Sequence, residues 1–140
     1  MNRRILIIDG LNLFIRNFVV NPTMNNNGEP IGGMMGFLTS LQKYVTNMQP
    51  DEVFITWDGR DGGAQRRRIN PNYKDNRKPL RLNRAMEYSS EQDQLKNQLF
   101  QRRLVIEYLN ELPVLQFVYD SVEADDVIAY ICNHHDLKDD

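Results

Sequence analysis

Short apolar segments alternate along this chain with longer polar or amphipathic stretches, and this alternation restricts the fold more than any other feature. Three segments are short, apolar and rich in β-branched or aromatic residues, which is typical of buried strands. They are RILIID at residues 4–9, EVFITW at 52–57 and VLQFVY at 114–119. Because helical patterns lie between and after them, the sequence favours parallel strands connected by helices.

Apolar residues at helical spacing predict the connecting elements. The predicted helices cover residues 34–48, 89–112 and 123–135. The second begins with serine and acidic residues, a favourable helix start. Its predicted apolar face consists of Leu95, Leu99, Ile106 and Leu109. Residues 21–33, rich in Asn, Gly and Pro, are predicted to form a loop or tight hairpin. The predicted fold class is α/β, with three layers and a mostly parallel central sheet covered by helices on both faces.

The length and composition of the sequence indicate one domain-sized globular chain without a membrane span. At 140 residues the chain is long enough to bury a core, and it has no apolar run near 18 residues. The N-terminal apolar run is four residues long and ends in Asp9, which is too short for a signal peptide, so we predict a cytoplasmic protein. The single Cys132 fits a reducing compartment, and its apolar neighbours predict a packing role.

Acidic residues follow each of the three predicted strands. Asp9 ends the first strand, Asp58 follows the second, and Glu123, Asp125 and Asp126 follow the third. Because ligands of parallel α/β sheets bind at the carboxyl ends of the strands, we expect these acids to converge on one edge. Converging carboxylates must be protonated, be spread apart in solvent or hold a cation. Hard oxygen ligands of this type suit Mg²⁺ or Mn²⁺.

Each acid also has a structural explanation when it is taken alone. Asp-Gly at a strand end, as at Asp9 and Asp58, is a common turn signal. Acids in the first turn of a helix interact favourably with its dipole, which would account for Glu123, Asp125 and Asp126.

Basic residues are concentrated in a segment that follows Asp58. Residues 60–84 hold nine bases and two acids, and Tyr73 lies among them. Arg and Lys neutralise phosphates and an aromatic ring stacks on bases, so the segment suits nucleic acid, with a disordered, solvated loop as the alternative. A metal edge beside such a segment fits a phosphodiester substrate, with Lys74 or Arg77 adding positive charge in the transition state.

Four motifs in this order resemble the N-terminal part of the 5′-nuclease family. They are ILIIDGLNLFIR, ITWDG, INPNYKDNR and VEADDVIAYI. The family includes bacteriophage 5′–3′ exonucleases, or flap endonucleases, and the 5′-nuclease domain of bacterial DNA polymerase I. The resemblance covers essentially the whole chain and implies a PIN-like or resolvase-like domain.

The resemblance also implies roles for individual residues. It implies a first metal site made of Asp9, Asp58, Glu123, Asp125 and Asp126. It implies that Lys74 and Arg77 contact the reacting phosphate, and that the segment from about 60 to 105 is an arch for a single-stranded 5′ end. The DNA-binding residues predicted from the resemblance and from the basic segment are Arg16, Arg66, Arg67, Arg68, Tyr73, Lys78, Arg81 and Arg84.

The sequence departs from the family pattern at its carboxyl end. The family continues with a strand that carries an Asp-x-Asp pair for a second metal site, whereas this sequence ends in NHHDLKDD. We therefore expect residues 1–140 to be an incomplete PIN-like domain, truncated at the C-terminus. An N-terminal fragment, a truncated reading frame and one half of a split gene are the open explanations, the last with a separate chain supplying the remainder. His134 and His135 are predicted to end a helix rather than to bind metal.

The predicted function is a metal-dependent 5′–3′ exonuclease or flap endonuclease that hydrolyses DNA near a free 5′ end. Its expected partner is DNA with a free 5′ end or 5′ flap, with RNA in RNA–DNA hybrids as a further substrate. Two alternatives stay open: a non-catalytic module that binds 5′ ends or single strands, and a PIN-like ribonuclease. A haloacid-dehalogenase-type phosphatase is excluded, because the second Asp of that motif would fall on Leu11.

Overall fold

A parallel sheet forms the centre of the described structure. The computed structural model describes residues 3–59, 90–119 and 124–134. Within these ranges the strands are β1 (Ile5–Asp9), β2 (Glu52–Asp58) and β3 (Leu115–Tyr119), in the spatial order β1-β2-β3. Both strand pairs are parallel, so the three predicted strands and their common direction are confirmed.

Four helices accompany the strands in the described ranges. They are α1 (Gly10–Val20), α2 (Gly32–Met48), α3 (Glu91–Leu109) and α4 (Ala124–His134). The last three lie where helical spacing predicted them, and the α/β class is confirmed. α1 was not predicted, although Leu13, Phe14 and Phe18 are buried at the helical spacing that would have indicated it.

The described residues belong to two compact units. One unit contains the sheet and α4, and the other contains residues 12–48 together with α3. In the first unit, α4 packs on one sheet face through Val127 and Ile131, which lie against Phe54. Phe54 in turn meets Phe117 edge to face, with ring centroids 5.3 Å apart. The N-terminus of α4 lies at the carboxyl edge of the sheet, because the N–H of Ala124 is bonded to Asp58, the last residue of β2.

In the second unit, a buried glutamine joins α3 to the start of α2. Gln101 is almost fully buried, and its Oε1 accepts a hydrogen bond of 3.0 Å from the backbone N–H of Met34. Its Nε2 donates to Asn97 Oδ1 at 2.6 Å, and Asn97 donates to the Pro30 carbonyl at 3.0 Å. Both buried polar groups of Gln101 are therefore satisfied, which makes its burial tolerable.

The buried face of α3 differs from the predicted one. Gln94, Gln101, Val105 and Leu109 are the buried residues of this helix, whereas Leu99 is 54% exposed. The prediction was wrong for Leu99 because it counted only apolar residues. Amide side chains with hydrogen-bond partners occupy two of the buried positions instead.

This helix face can be tested with the same substitution at two sites on one helix. Leu109→Ala is expected to lower the free energy of unfolding by about 2–5 kcal/mol, because Leu109 is fully buried and its removal leaves a cavity. Leu99→Ala is the matched control and should change it by less than about 0.5 kcal/mol. Urea unfolding followed by circular dichroism measures both values, and equal losses would contradict the face described here.

The structure also tests the predictions for the loop at residues 21–33 and for Cys132. Met24 and Pro30 form an antiparallel bridge, and Gly28 has a φ of 78°, so the predicted tight hairpin is confirmed. Cys132 is exposed, which corrects its predicted packing role. Among the described residues, no helix is both long enough and apolar enough to cross a membrane.

Candidate metal centre

Asp9 and Asp58 lie on the same face of the sheet at its carboxyl edge. Asp9 is paired with Thr56, and Asp58 is two residues further along β2. Because side chains alternate between faces, both acids project from the face that also carries Phe54. Neighbouring strands are about 4.8 Å apart and rise about 3.3 Å per residue, so the two Cα atoms are about 8 Å apart. Two carboxylates at this separation are within reach of a shared ion.

Asp58 also contacts the helix that packs on this face. Its Oδ1 accepts a hydrogen bond of 2.6 Å from the backbone N–H of Ala124, the first residue of α4. The first N–H groups of a helix have no acceptor within the helix, and Ala124 is fully buried. The bond therefore satisfies a buried donor and joins the end of β2 to the start of α4.

Asp126 lies in the first turn of α4, two residues after Ala124. It is partly buried, whereas Asp58 is exposed. Since the N–H of Ala124 is bonded to the Asp58 carboxylate, Asp126 is held at the same edge of the sheet as Asp9 and Asp58. The structure therefore places these three residues at the carboxyl edge of the sheet, and their convergence on one ion stays a prediction.

The opposite face of the sheet constrains the residue that follows Asp9. A Cβ added to Gly10 would lie 2.8 Å from the indole ring of Trp57. Trp57 is buried, and its Nε1 donates a hydrogen bond of 2.8 Å to Gln116 Oε1, which fixes the ring. The chain can turn from β1 into α1 at this point because Gly10 has no side chain.

Gly10→Ala is expected to lower the free energy of unfolding by about 1–3 kcal/mol, since the methyl group overpacks against the Trp57 ring. The sign of this change in unfolding free energy is informative, because Gly→Ala in a helix without a clash stabilises the protein by about 0.5–1 kcal/mol. Thr39→Ala, on an exposed position of α2, is the control and should have little effect. Denaturant unfolding measures both, and a stabilised Gly10→Ala variant would contradict the close contact.

The described acids have the donor chemistry of a hard divalent cation site, but they are not grouped as a metal site. In the described ranges, no three or more His, Cys, Asp or Glu side chains form a group that could hold a metal ion. The carboxylates of Asp9, Asp58 and Asp126 are oxygen donors of the type that Mg²⁺ and Mn²⁺ prefer. Asp58 uses Oδ1 for Ala124 and still has a second oxygen with which to bind an ion. Glu123 and the side chain of Asp125 lie outside the described residues.

Most of the residues predicted to contact DNA or the reacting phosphate also lie outside the described ranges. These are Arg66, Arg67, Arg68, Tyr73, Lys74, Arg77, Lys78, Arg81 and Arg84. Arg16 is described and is exposed on α1, in the second unit. Of the predicted segment 60–105, residues 91–105 lie in α3, and their arch role stays a prediction.

Sequence reasoning missed the second contact of Asp58. It gave this residue a metal-ligand role or a turn-signal explanation, whereas the structure makes it the acceptor for an amide that lies 66 residues away. A partial signal was available, because acidic residues are common acceptors at helix starts. That signal applies to neighbours in sequence, so it did not identify a partner on a different element.

Comparison with known proteins identifies the family. Residues 4–140 match the family model described as the 5′–3′ exonuclease, N-terminal resolvase-like domain. DNA polymerase I of Caldicellulosiruptor bescii is 30% identical over 131 residues, which are 93% of this chain and 14% of that protein. Flap endonuclease Xni of a Shewanella species is 34% identical over 126 residues, which are 90% of this chain and 41% of that protein.

Solved structures show the same fold. A bacteriophage T5 protein co-crystallised with metal ions aligns with a TM-score of 0.66 and 23% identity, over 94% of this chain and 44% of that one. T5 5′-exonuclease with zinc bound aligns with a TM-score of 0.62 and 25% identity, over 93% of this chain and 44% of that one. The chain thus spans less than half the length of these relatives. The resemblance carried by the four motifs is confirmed, and the chain belongs to the 5′–3′ exonuclease family through its N-terminal resolvase-like domain.

Proposed function

We propose that this chain supplies the first metal site of a 5′-nuclease that hydrolyses DNA phosphodiesters near a free 5′ end. The observation that carries the proposal is the placement of Asp9, Asp58 and Asp126 at one edge of a parallel sheet. Membership of the 5′–3′ exonuclease family makes this arrangement of acids a candidate catalytic edge rather than a solvated acidic surface.

Five acids would hold the ion. They are Asp9, Asp58, Glu123, Asp125 and Asp126. Mg²⁺, or Mn²⁺, would supply an activated water and would stabilise negative charge on the scissile phosphate. In the proposed site, the sheet and α4 would hold the described acids in position. This lowers the cost of organising the site during the reaction.

The basic segment would bind and orient the DNA. Lys74 and Arg77 are proposed to contact the reacting phosphate, and Tyr73 to stack on a base near it. The arginines and lysines of residues 60–84 would neutralise the backbone near the 5′ end, with Arg16 guiding the DNA from α1. The proposed substrate is DNA with a free 5′ end or flap, and RNA in RNA–DNA hybrids is a further candidate.

The domain limits are part of the proposal. Residues 1–140 would form a PIN-like domain with a basic, arch-like insertion at about 60–105. The second metal site of the family would come from residues other than 1–140, either in the same chain or in a separate one. A cytoplasmic location stays a prediction from the sequence.

A cleavage assay on a 5′-flap oligonucleotide tests the function. Labelled flap DNA is incubated with the chain in Mg²⁺, and parallel reactions contain EDTA or Mn²⁺. Release of short 5′ products in Mg²⁺ or Mn²⁺, and none in EDTA, is the expected result. A duplex of the same sequence with a blocked 5′ end is the control, and it should be cut more slowly.

Two other outcomes would overturn the proposal in favour of the alternatives. Binding that persists in EDTA, with no cleavage in Mg²⁺, would indicate a non-catalytic module. The salt dependence of that binding should then decrease when arginines of residues 60–84 are removed. Faster cleavage of single-stranded RNA than of the DNA flap would indicate a PIN-like ribonuclease.

A further inference from the structure

The contact between Asp58 and α4 has consequences for the position of Asp126. Ala124 precedes Asp126 by two residues in the same helical turn. A shift or fraying of that turn would therefore carry the Asp126 carboxylate away from Asp9. Val127 and Ile131 hold the remainder of α4 by apolar contacts with the sheet, which resist separation but direct the first turn less strongly.

The chemistry of Asp58 suits it for holding this turn. A carboxylate that accepts a helix N-terminal N–H makes a charge-assisted hydrogen bond, and the partial positive charge of the helix start favours it. The same helix start offsets some of the repulsion among the acids at the edge. A side chain with two oxygens can serve two partners, the amide with one and an ion with the other.

We propose that Asp58 is a positioning residue for Asp126 as well as a ligand: its hydrogen bond to Ala124 holds the first turn of α4 against the end of β2. This inference rests on the proposed function for its purpose, since Asp126 must reach the same ion as Asp9. The bond joins two residues of this chain, so it can be tested separately from nuclease activity.

Two substitutions of Asp58 separate its two roles. Asp58→Asn keeps an oxygen that can accept the Ala124 N–H and loses the charge that binds an ion. Asp58→Ala loses both. Amide hydrogen exchange of the ¹⁵N-labelled 140-residue chain, measured by NMR in EDTA, reports the bond. Exchange of the Ala124 amide is expected to be about fivefold faster in Asp58→Ala and within about twofold of wild type in Asp58→Asn.

Ser90→Ala provides a matched control on a different helix. Ser90 caps α3, where its Oγ accepts from the Asp93 N–H at 3.1 Å, so this variant also loses one helix-start acceptor. It should accelerate exchange at Asp93 and leave Ala124 unchanged. Unchanged exchange of Ala124 in Asp58→Ala, or equal acceleration in Asp58→Asn, would overturn the positioning role.

A second variant covers the case in which Asp58→Ala does not fold. Ala124→Pro removes the donor of the same bond and leaves every carboxylate in place, and proline is tolerated at the first position of a helix. Titration with Mg²⁺ alone, followed by NMR shifts of the α4 amides, should show binding at least about fivefold weaker than in wild type. A Mg²⁺ affinity equal to that of wild type would overturn the proposal that the bond to Ala124 positions Asp126 for the ion. Absence of nuclease activity in the wild-type chain, with the protection of the Ala124 amide retained, would count against the proposed function and not against this bond.

Discussion

In the proposed nuclease, replacing Asp126 with asparagine is expected to lower the rate of Mg²⁺-dependent DNA hydrolysis by about 10²–10³-fold. The reason is that Asp126 is a proposed oxygen donor to the ion, and asparagine has a similar shape without the charge. DNA affinity should change by less than about threefold, because phosphate contacts by basic residues provide most of it. Single-turnover cleavage of flap DNA gives the rate, and fluorescence anisotropy in Ca²⁺ gives the affinity.

Asp93→Asn is the matched control for this variant. Asp93 is the third residue of α3, as Asp126 is the third residue of α4, so both acids interact with the start of a helix. Loss of a favourable dipole interaction costs only about 0.3–1 kcal/mol of stability and should leave the cleavage rate unchanged. If both variants cleave at the wild-type rate, Asp126 is a helix-start residue and does not belong to the metal centre.

Asp9→Asn is expected to weaken Mg²⁺ binding by about 10–100-fold, because Asp9 is one of the proposed charged oxygen donors and the substitution makes it neutral. Added Mg²⁺ should then stabilise the wild-type chain and leave the variant nearly unchanged. A ligand present at 100 times its dissociation constant stabilises the folded state by about 2.7 kcal/mol. Thermal unfolding at a series of Mg²⁺ concentrations measures this difference.

The control for Asp9→Asn is Asp51→Asn at the opposite end of the sheet. Asp51 directly precedes β2, and its Oδ2 accepts the backbone N–H of Arg4 at 2.7 Å. The asparagine at this position can still accept that hydrogen bond. Asp51→Asn should therefore retain the full stabilisation by Mg²⁺, and an equal loss in the two variants would exclude a specific site at the carboxyl edge.

Local patterns predicted most of the fold and the edge position of two acids. β1, β2 and β3 were predictable because short apolar runs with β-branched residues and turn signals indicate buried strands. The edge location of Asp9 and Asp58 followed from strand direction, which the alternation with helices indicated. α1 was missed, although its buried residues recur with helical spacing.

Other features depended on partners that sequence spacing does not reveal. The buried face of α3 includes Gln94 and Gln101, and burial of Gln101 is tolerable because Met34 and Asn97 complete its hydrogen bonds. A polar residue is expected on the surface until such partners are known. The opposite error was made for Leu99, which was placed on the apolar face of α3 because it is apolar. Apolar character alone does not show which side of a helix is covered.

The sequence by itself determined which segments become strands and helices, and which ends carry the acids, because these depend on the periodicity and composition of neighbouring residues. Only the tertiary structure decided that Asp58 bonds to Ala124 and that Gly10 lies against Trp57. Both contacts join elements that are distant in the chain, and they arise from strand register and the docking of α4. The positions of the acids at strand ends could therefore be predicted from local pattern. The contacts that fix the surrounding elements exist only in the folded chain.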